Sequence, residues 1–390
     1  MRSNLELAWQ FHKRQLLRSC FGADRQTGRE FRERFDYEVY RLRERAFGAF
    51  KPSGLLAIAK PKPTGGNRIL CVPTIADRFL QFAVLAELRP KLEKRGLLNG
   101  ISYGLVRGAK KGVREARERA LQLRAKYPWV YKADIQKFFD NIPRIPMKDV
   151  ARRMIDQRSL RNVVLSFIDT EIIDGFDPAW KEIIARAGIV SGKGVRQGMP
   201  LSPYFAGMVL CSLDKALERK GIPAVRYVDD IAAFFGSRNE CLNFHEYLCG
   251  QLKRLELNVG DIAATGSKTL VYEPSASADF LGMEIAPTDG GSYCLRVGDA
   301  CIEKIGSKFC HAGSIEQLLK KGVTLTRLGG YLDAMEAGYL QAYEGAENHN
   351  KLVAEVRHMK AAALNAALEE LFGERVATLS KRDRRFIGLN

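Results

Sequence analysis

No CxxC pair occurs in this chain, no apolar run approaches the ~20 residues needed to span a bilayer, and no internal repeat or low-complexity tract interrupts it. Its eight cysteines (20, 71, 211, 241, 249, 294, 301 and 310) are scattered through 390 residues rather than packed into a small secreted scaffold. That distribution predicts reduced thiols, and the spacing of Cys301, Cys310 and His311 fits no common zinc motif. The first thirty residues carry Arg2, Lys13, Arg14 and Arg18 but no apolar signal-peptide core. A soluble, cytoplasmic protein with no membrane partner is therefore expected. Acidic residues are also in short supply, 45 against 62 Lys and Arg, for a formal charge of +17. A surplus of this size favours a polyanionic partner, nucleic acid before anionic membrane.

The length leaves room for two or three domains. Residues 1–54 read as a basic, helical N-terminal region. Lys60 to Arg68 then forms a Pro- and Gly-rich turn between two short apolar segments, and Ala76 to Leu92 has the apolar spacing of a helix. From Arg107 to Lys126 runs the densest basic stretch, whose imbalance of sign predicts a surface facing phosphates. Strands and helices alternate from about 127 to 285. After Gly290-Gly291, the best linker candidate, the pattern is mostly helical from Ile302 to Phe372 and ends in a basic tail at 381–385.

Tyr227-Val228-Asp229-Asp230 is the most informative stretch. Two apolar runs, Ala224 to Val228 and Ile231 to Phe235, read as paired strands with the acids at their turn. Asp is a common turn residue, so the pair alone proves little. A third carboxylate, Asp134, ends another apolar run, Trp129 to Ala133. Three acids converging from strand ends can hold two hard divalent cations, the arrangement used for phosphoryl transfer.

Other segments supply parts for the same chemistry. A Phe five residues after a metal-binding Asp, here Phe139, can lie under a nucleotide sugar and exclude a 2′-hydroxyl. Gly194 to Pro203 is a loop opening onto a helix, where Gly allows close backbone approach and Gln197 offers amide donors and an acceptor. Lys62 and Arg68 flank a turn from which both can reach a triphosphate. Lys268 is a candidate proton donor to a leaving pyrophosphate.

The order of these motifs resembles bacterial reverse transcriptases of the group II intron lineage. Pro61 to Arg68, Pro73-Thr74, Asp77-Arg78 and Gln81 look like the fingers segment. Ser102-Tyr103-Gly104 with Gly108, Asp134 to Ile142, Arg196 to Pro203, Tyr227 to Asp230, Lys268-Thr269 and Phe280-Leu281-Gly282 follow in the family's order, covering roughly residues 55–285. The resemblance implies an α+β right-hand polymerase with fingers and palm over 55–285 and a helical thumb over 286–390. It implies an RNA-directed DNA polymerase using two Mg²⁺ ions, or Mn²⁺, to copy an RNA template into cDNA from dNTPs. The metal ligands would be Asp134, Asp229 and Asp230, assisted by the Ile135 carbonyl. Lys62 and Arg68 would hold the triphosphate, Phe139 would gate the sugar, and Gln197, Gly198 and Tyr227 would shape the substrate pocket. Arg107, Lys110, Lys111 and Arg114 would follow nucleic acid, with Phe280 and Gly282 near the primer.

Departures from the family narrow the placement. No HNH-type endonuclease, maturase extension or RNase H carboxylate set is evident. The Asn-Ala-x-x-His and Val-Thr-Gly hallmarks of retrons are missing, since Val323-Thr324 is followed by Leu325. The Gln-Gly loop differs from the Ile-Gly version of diversity-generating elements. What remains resembles the stand-alone reverse transcriptases of antiphage defence, whose template is a structured non-coding RNA. The competing readings are an RNA-directed RNA polymerase, against which Phe139 argues, a template-independent DNA polymerase, and a degenerate palm that only binds RNA.

Overall fold

The computed structural model describes residues 2–47, 50–62, 66–92, 94–95, 99–104, 111–173, 178–373, 378 and 380. The hairpin tip 63–65, Arg107, Gly108, Lys110 and the basic tail 381–385 lie outside the described residues. The chain forms two compact units: residues 1–116 with 129–271, and residues 117–128 with 272–390.

The first unit opens with helices α1 (Arg2–Arg18), α2 (Gly28–Glu33) and α3 (Phe35–Phe47). Thr27 starts α2 with a reciprocal capping box to Glu30, which satisfies two otherwise orphaned N–H groups. The strands β1 (Leu56–Pro61) and β2 (Asn67–Val72) pair as an antiparallel hairpin. Helix α4 (Ile75–Leu92) follows. Ile75, Phe79, Leu80, Ala83, Val84 and Leu88 of α4 are buried, at the spacing of one broad helix face. Trp9 of α1 packs edge-on against Phe79, with ring centroids 5.9 Å apart.

A five-stranded sheet carries the site. In chain order its strands are β3 (Ser102–Tyr103), β4 (Trp129–Asp134), β5 (Ala224–Tyr227), β6 (Asp230–Phe235) and β7 (Leu270–Tyr272), and in space they run β3-β5-β6-β4-β7. β3 lies parallel to β5, whereas β5–β6 and β6–β4 are antiparallel. The central β6 reads as one apolar run because Ile231 to Phe234 are all buried. Between these strands come α5 (Val113–Arg124), inside which the first segment ends at Ala116, and α6 (Phe138–Asn141), α7 (Arg144–Met154), α8 (Arg158–Ile168), α9 (Pro178–Arg186), α10 (Ser202–Arg219) and α11 (Arg238–Lys253). One continuous core runs from Leu5 to Val259.

The second unit holds a three-stranded antiparallel sheet, β8 (Ala278–Phe280), β9 (Met283–Pro287) and β10 (Tyr293–Arg296), in the order β10-β9-β8. It continues into α12 (Asp299–Ala312), α13 (Ile315–Lys320), α14 (Leu325–Ala342) and α15 (His349–Phe372). Gly290-Gly291, expected as a linker, instead makes the β9–β10 turn, with Gly291 at φ +74°. Lys360 of α15 reaches Asp333 and Glu336 of α14, the latter at 2.7 Å. None of the eight cysteines is in a disulfide. Among the described residues, no helix is long and apolar enough to cross a membrane.

Candidate active site

Alternation along β4 decides which side chains reach the site. Tyr131 and Ala133 are buried, while Lys132 and Asp134 are half-buried on the other face. In the antiparallel ladder Asp134 stands directly across from Asp230, so their side chains emerge on one face with Cβ atoms about 4.5–5.5 Å apart. Tyr227 pairs with Asp230 from the other side, leaving Val228 and Asp229 as a two-residue turn. The Asp229 carbonyl accepts the Ile135 N–H at 3.1 Å. Val228 has φ +60°, a left-handed conformation that costs a β-branched residue about 1–3 kcal/mol.

Asp229 and Asp230 both resist ionisation. Burial, followed by the charge of Asp134 and a hydrogen bond with it, pushes Asp229 up to about 6. Asp230 also rises to about 6; burial is the main cause, with Asp134 and Asp229 adding to it and Lys132 and Lys268 opposing. Oδ1 of Asp230 is buried without a hydrogen-bond partner. The Lys268 ammonium bonds Asp134 Oδ2, and that bond holds it above the usual lysine range. Among the described residues, no three His, Cys, Asp or Glu side chains form a ready-made metal cluster. The donors nonetheless suit a hard divalent cation: three carboxylates, one unpartnered buried oxygen, and a lysine already drawn in as counter-charge.

A second group lies around Phe139 and Asp140. Phe139 is half-buried on α6, its centroid 5.5 Å from that of the buried Phe138. Burial raises Asp140, and Arg196, Lys62, Lys137 and Arg68 pull it back. Lys62 and Arg68, both exposed on the β1–β2 hairpin, thus act electrostatically on the residue next to Phe139. The loop entering α10 is fastened to the same place. Val195 N–H donates to the Phe139 carbonyl at 2.7 Å, and Cys71 N–H donates to the Gln197 carbonyl at 2.6 Å. Gly198 has φ +105°, and a β-carbon there would stand 2.6 Å from the Cys71 carbonyl oxygen. Only glycine fits.

Arg196 anchors the loop from inside. It is 1% exposed and donates to Glu171 at 2.5 and 3.1 Å, while Arg144 reaches the other oxygen of Glu171 at 2.6 Å. Burial would raise Glu171, but bonds from Gly192 N–H, Arg196 and Arg144 outweigh it and leave the carboxyl below its ordinary range. Gly104 packs under Tyr227: a β-carbon there would lie 2.7 Å from the tyrosine ring.

The structure corrects the reading of the basic run. Lys111 bonds the Asn99 carbonyl at 2.8 Å and lies over the Tyr103 ring, whereas Arg114 is exposed. Arg117 and Arg124 are buried. Arg117 donates to the carbonyls of Leu281 and Ala342. Arg124 donates to those of Ile285, Glu273 and Ala276 and sits over Tyr293. Both guanidiniums turn inward onto backbone carbonyls rather than forming an exposed basic surface. The ring of Phe280, expected to meet nucleic acid, is 2% exposed. It packs inside its own unit because it alternates inward on β8, and Leu281 and Gly282 form the β8–β9 turn. Lys132, Asp140 and the Arg226–Asp214 pair escaped the sequence reading. Lys132 carries a visible signal: it is two residues before Asp134 on the same strand face.

The family model for reverse transcriptase (RNA-dependent DNA polymerase) matches residues 58–285. Protein YkfC of Escherichia coli (strain K12) is 27% identical over an alignment of 187 residues that covers 44% of this chain and 43% of that protein. The chain thus spans less than half the length of this curated relative. Among solved structures, Candida albicans telomerase bound to a fragment of telomeric RNA is 14% identical with a TM-score of 0.42, covering 87% of this chain and 66% of that one. Apo telomerase of Candida tropicalis is 13% identical with a TM-score of 0.44, covering 86% and 67%.

Proposed function

The chain belongs to the reverse transcriptase (RNA-dependent DNA polymerase) family, whose model covers more than half of it, and from that premise we propose that it copies an RNA template into DNA from dNTPs. The observation that carries this reading is Asp134 facing Asp230 across β4 and β6, with Asp229 in the adjoining turn. In this reading residues 55–285 are fingers and palm, and 286–390 are thumb.

Asp134, Asp229 and Asp230, with the Ile135 carbonyl, would hold divalent cations, Mg²⁺ or Mn²⁺. Bound there, such ions supply Lewis-acid activation of a primer 3′-hydroxyl and charge neutralisation at departing pyrophosphate. The protein's own residues supply position and charge. Lys62 and Arg68 grip the triphosphate, Arg through its fork and Lys as a point charge. Phe139 closes the space a 2′-hydroxyl would need. Gln197, Gly198 and Tyr227 shape the pocket around base and template. Lys268 holds a proton within reach of the acids and delivers it to the leaving pyrophosphate. Exposed Arg114, with Arg107 and Lys110, follows the nucleic-acid backbone.

Primer extension on an RNA template tests the reading. The wild type incorporates dNTPs, and an Asp229→Asn, Asp230→Asn variant incorporates at least about 10³-fold less. A wild type that prefers ribonucleotides, or extends nothing on RNA or DNA, overturns it.

The finer reading is a structured non-coding RNA as template and its cDNA as an agent of antiphage defence. Its support is the Gln197-Gly198 loop and the Val323-Thr324-Leu325 segment, which differ from diversity-generating and retron patterns. Sequencing nucleic acids that co-purify with wild type and the double variant tests it. One abundant RNA in both, with complementary DNA only in wild type, is the expected result. DNA of simple composition matching no RNA would mean untemplated synthesis instead.

A further inference from the structure

One buried guanidinium links the acidic turn to α10 and to β3. Arg226 of β5 is 0% exposed and Asp214 of α10 is 1% exposed. Arg226 Nε and Nη2 grip the two oxygens of Asp214 at 2.7 and 2.5 Å. Nη2 also donates to Ser102 Oγ at 2.9 Å, and Nη1 donates to the Val228 carbonyl at 2.7 Å. Asp214 accepts a further bond from Asn99 Nδ2 at 3.0 Å. Asn99 Oδ1 holds the N–H groups of Ile101 and Ser102 at 3.0 and 2.6 Å. The Arg226 N–H itself donates to the Ile101 carbonyl at 2.8 Å. A single ion pair therefore ties together the Asn99–Ser102 segment, β5, α10 and the turn before Asp229.

Stability is a poor reason for such a pair. Removing two charges from water offsets most of their attraction, and apolar residues of similar volume often serve a fold as well. Geometry is a better one. Val228 is left-handed, a conformation that persists only where its surroundings over-determine it. Its carbonyl belongs to the peptide that leads into Asp229, so whatever fixes that carbonyl constrains the backbone from which the Asp229 carboxylate projects.

We infer that Arg226 is a positioning residue: it locks the Val228–Asp229 peptide and thereby aims Asp229 at Asp134, while Asp214 holds the guanidinium in that pose. This rests on the reading of Asp229 as a cation ligand and catalytic acid. Lysine cannot substitute, because one ammonium cannot span both Asp214 oxygens and the Val228 carbonyl.

Two variants of the full chain test it, Arg226→Lys and the apolar replacement Asp214→Leu, Arg226→Met. Each is followed by thermal unfolding, by Mn²⁺ binding in the absence of nucleotide, read by electron paramagnetic resonance, and by primer extension. The apolar double variant breaks the bonds to the Val228 carbonyl, Ser102 Oγ and Asn99 Nδ2, so it should melt below the wild type but still fold. It should bind Mn²⁺ about 10–100-fold more weakly, the range for losing a supporting contact behind a metal ligand. Its kcat should fall by a similar factor while KM for dNTP stays close to that of the wild type, and Arg226→Lys should follow it. A folded double variant that binds Mn²⁺ and extends primers like wild type overturns the inference and leaves the polymerase reading intact. If the double variant does not fold, Arg226→Lys decides: full Mn²⁺ binding and activity there overturn the inference, and their loss supports it. If the wild type extends no primer, the polymerase reading fails, and Mn²⁺ binding alone judges the role of Arg226.

Discussion

Asp134 and Asp230 are direct cross-strand partners at the ends of β4 and β6, a place where sheets ordinarily pair apolar or opposite charges. Lys268 bonds one of the two, and the other keeps a buried oxygen with no partner. The fold thus carries an electrostatic penalty at neutral pH that a cation bound at this spot would relieve.

Asp230→Asn should stabilise the protein at neutral pH. Asp230 rises from 3.8 to about 6 in the folded chain. Below about pH 4 the carboxyl is protonated whether the chain is folded or not, and no penalty exists. Between about pH 4 and 6 the folded chain keeps the proton and the unfolded chain releases it, so stability falls as pH rises. Above about pH 6 the full penalty, roughly 3 kcal/mol, is present. Without divalent cations, the variant's unfolding midpoint should exceed the wild type's by several degrees near pH 7, and the two should converge near pH 4. Equal midpoints near pH 7 would show that the acids are already compensated.

Lys268 separates two roles that one variant can distinguish. Its side chain is 75% exposed, and an ion pair that open contributes about 0–1 kcal/mol. Lys268→Met should therefore tighten Mn²⁺ binding by no more than about 5-fold, as one competing cation is removed. Loss of a proton donor costs more, about 10²–10⁴-fold, so kcat for primer extension should drop with KM for dNTP little changed. A rate equal to wild type would leave Lys268 as a counter-ion only.

Phe139 is set by the packed ring of Phe138 beneath it and by the Val195 bond to its carbonyl. Phe139→Ala should admit a 2′-hydroxyl and reduce the preference for dCTP over rCTP by about 10-fold or more. Competition between the two nucleotides in single-turnover extension measures it. An unchanged ratio would move the sugar gate to another residue.

The legible parts of this protein are those where one residue does one local thing. An apolar run ending in Asp134, and an Asp-Asp turn between two apolar runs, place the acids at strand ends from local pattern alone. Long-range bonding is not legible in that way. Arg117 and Arg124 lie in a basic run that looks solvated, and only tertiary packing shows their guanidiniums capping carbonyls more than a hundred residues away in the chain. Arg226 gives a fainter sign, a lone charge within the apolar strand Ala224 to Val228, but its partner on α10 shares no local pattern with it. Gly290-Gly291 misleads because a glycine pair serves a hairpin turn as well as a linker.

The basic run therefore divides into members with opposite behaviour. Arg124 is fully buried with three backbone carbonyls depending on it, so Arg124→Ala leaves them desolvated and should cost about 2–4 kcal/mol. It should lower the unfolding midpoint, and any fall in RNA affinity should track the folded fraction without altering the salt dependence. Arg114 is exposed on the same helix. Arg114→Ala should leave the midpoint within about 0.5 kcal/mol of wild type, weaken RNA binding, and reduce the slope of log K against log[salt] by about 1. Binding titrations at several salt concentrations, run beside thermal melts, separate the two. A reduced slope in Arg124→Ala with an unchanged midpoint would return that arginine to the nucleic-acid surface.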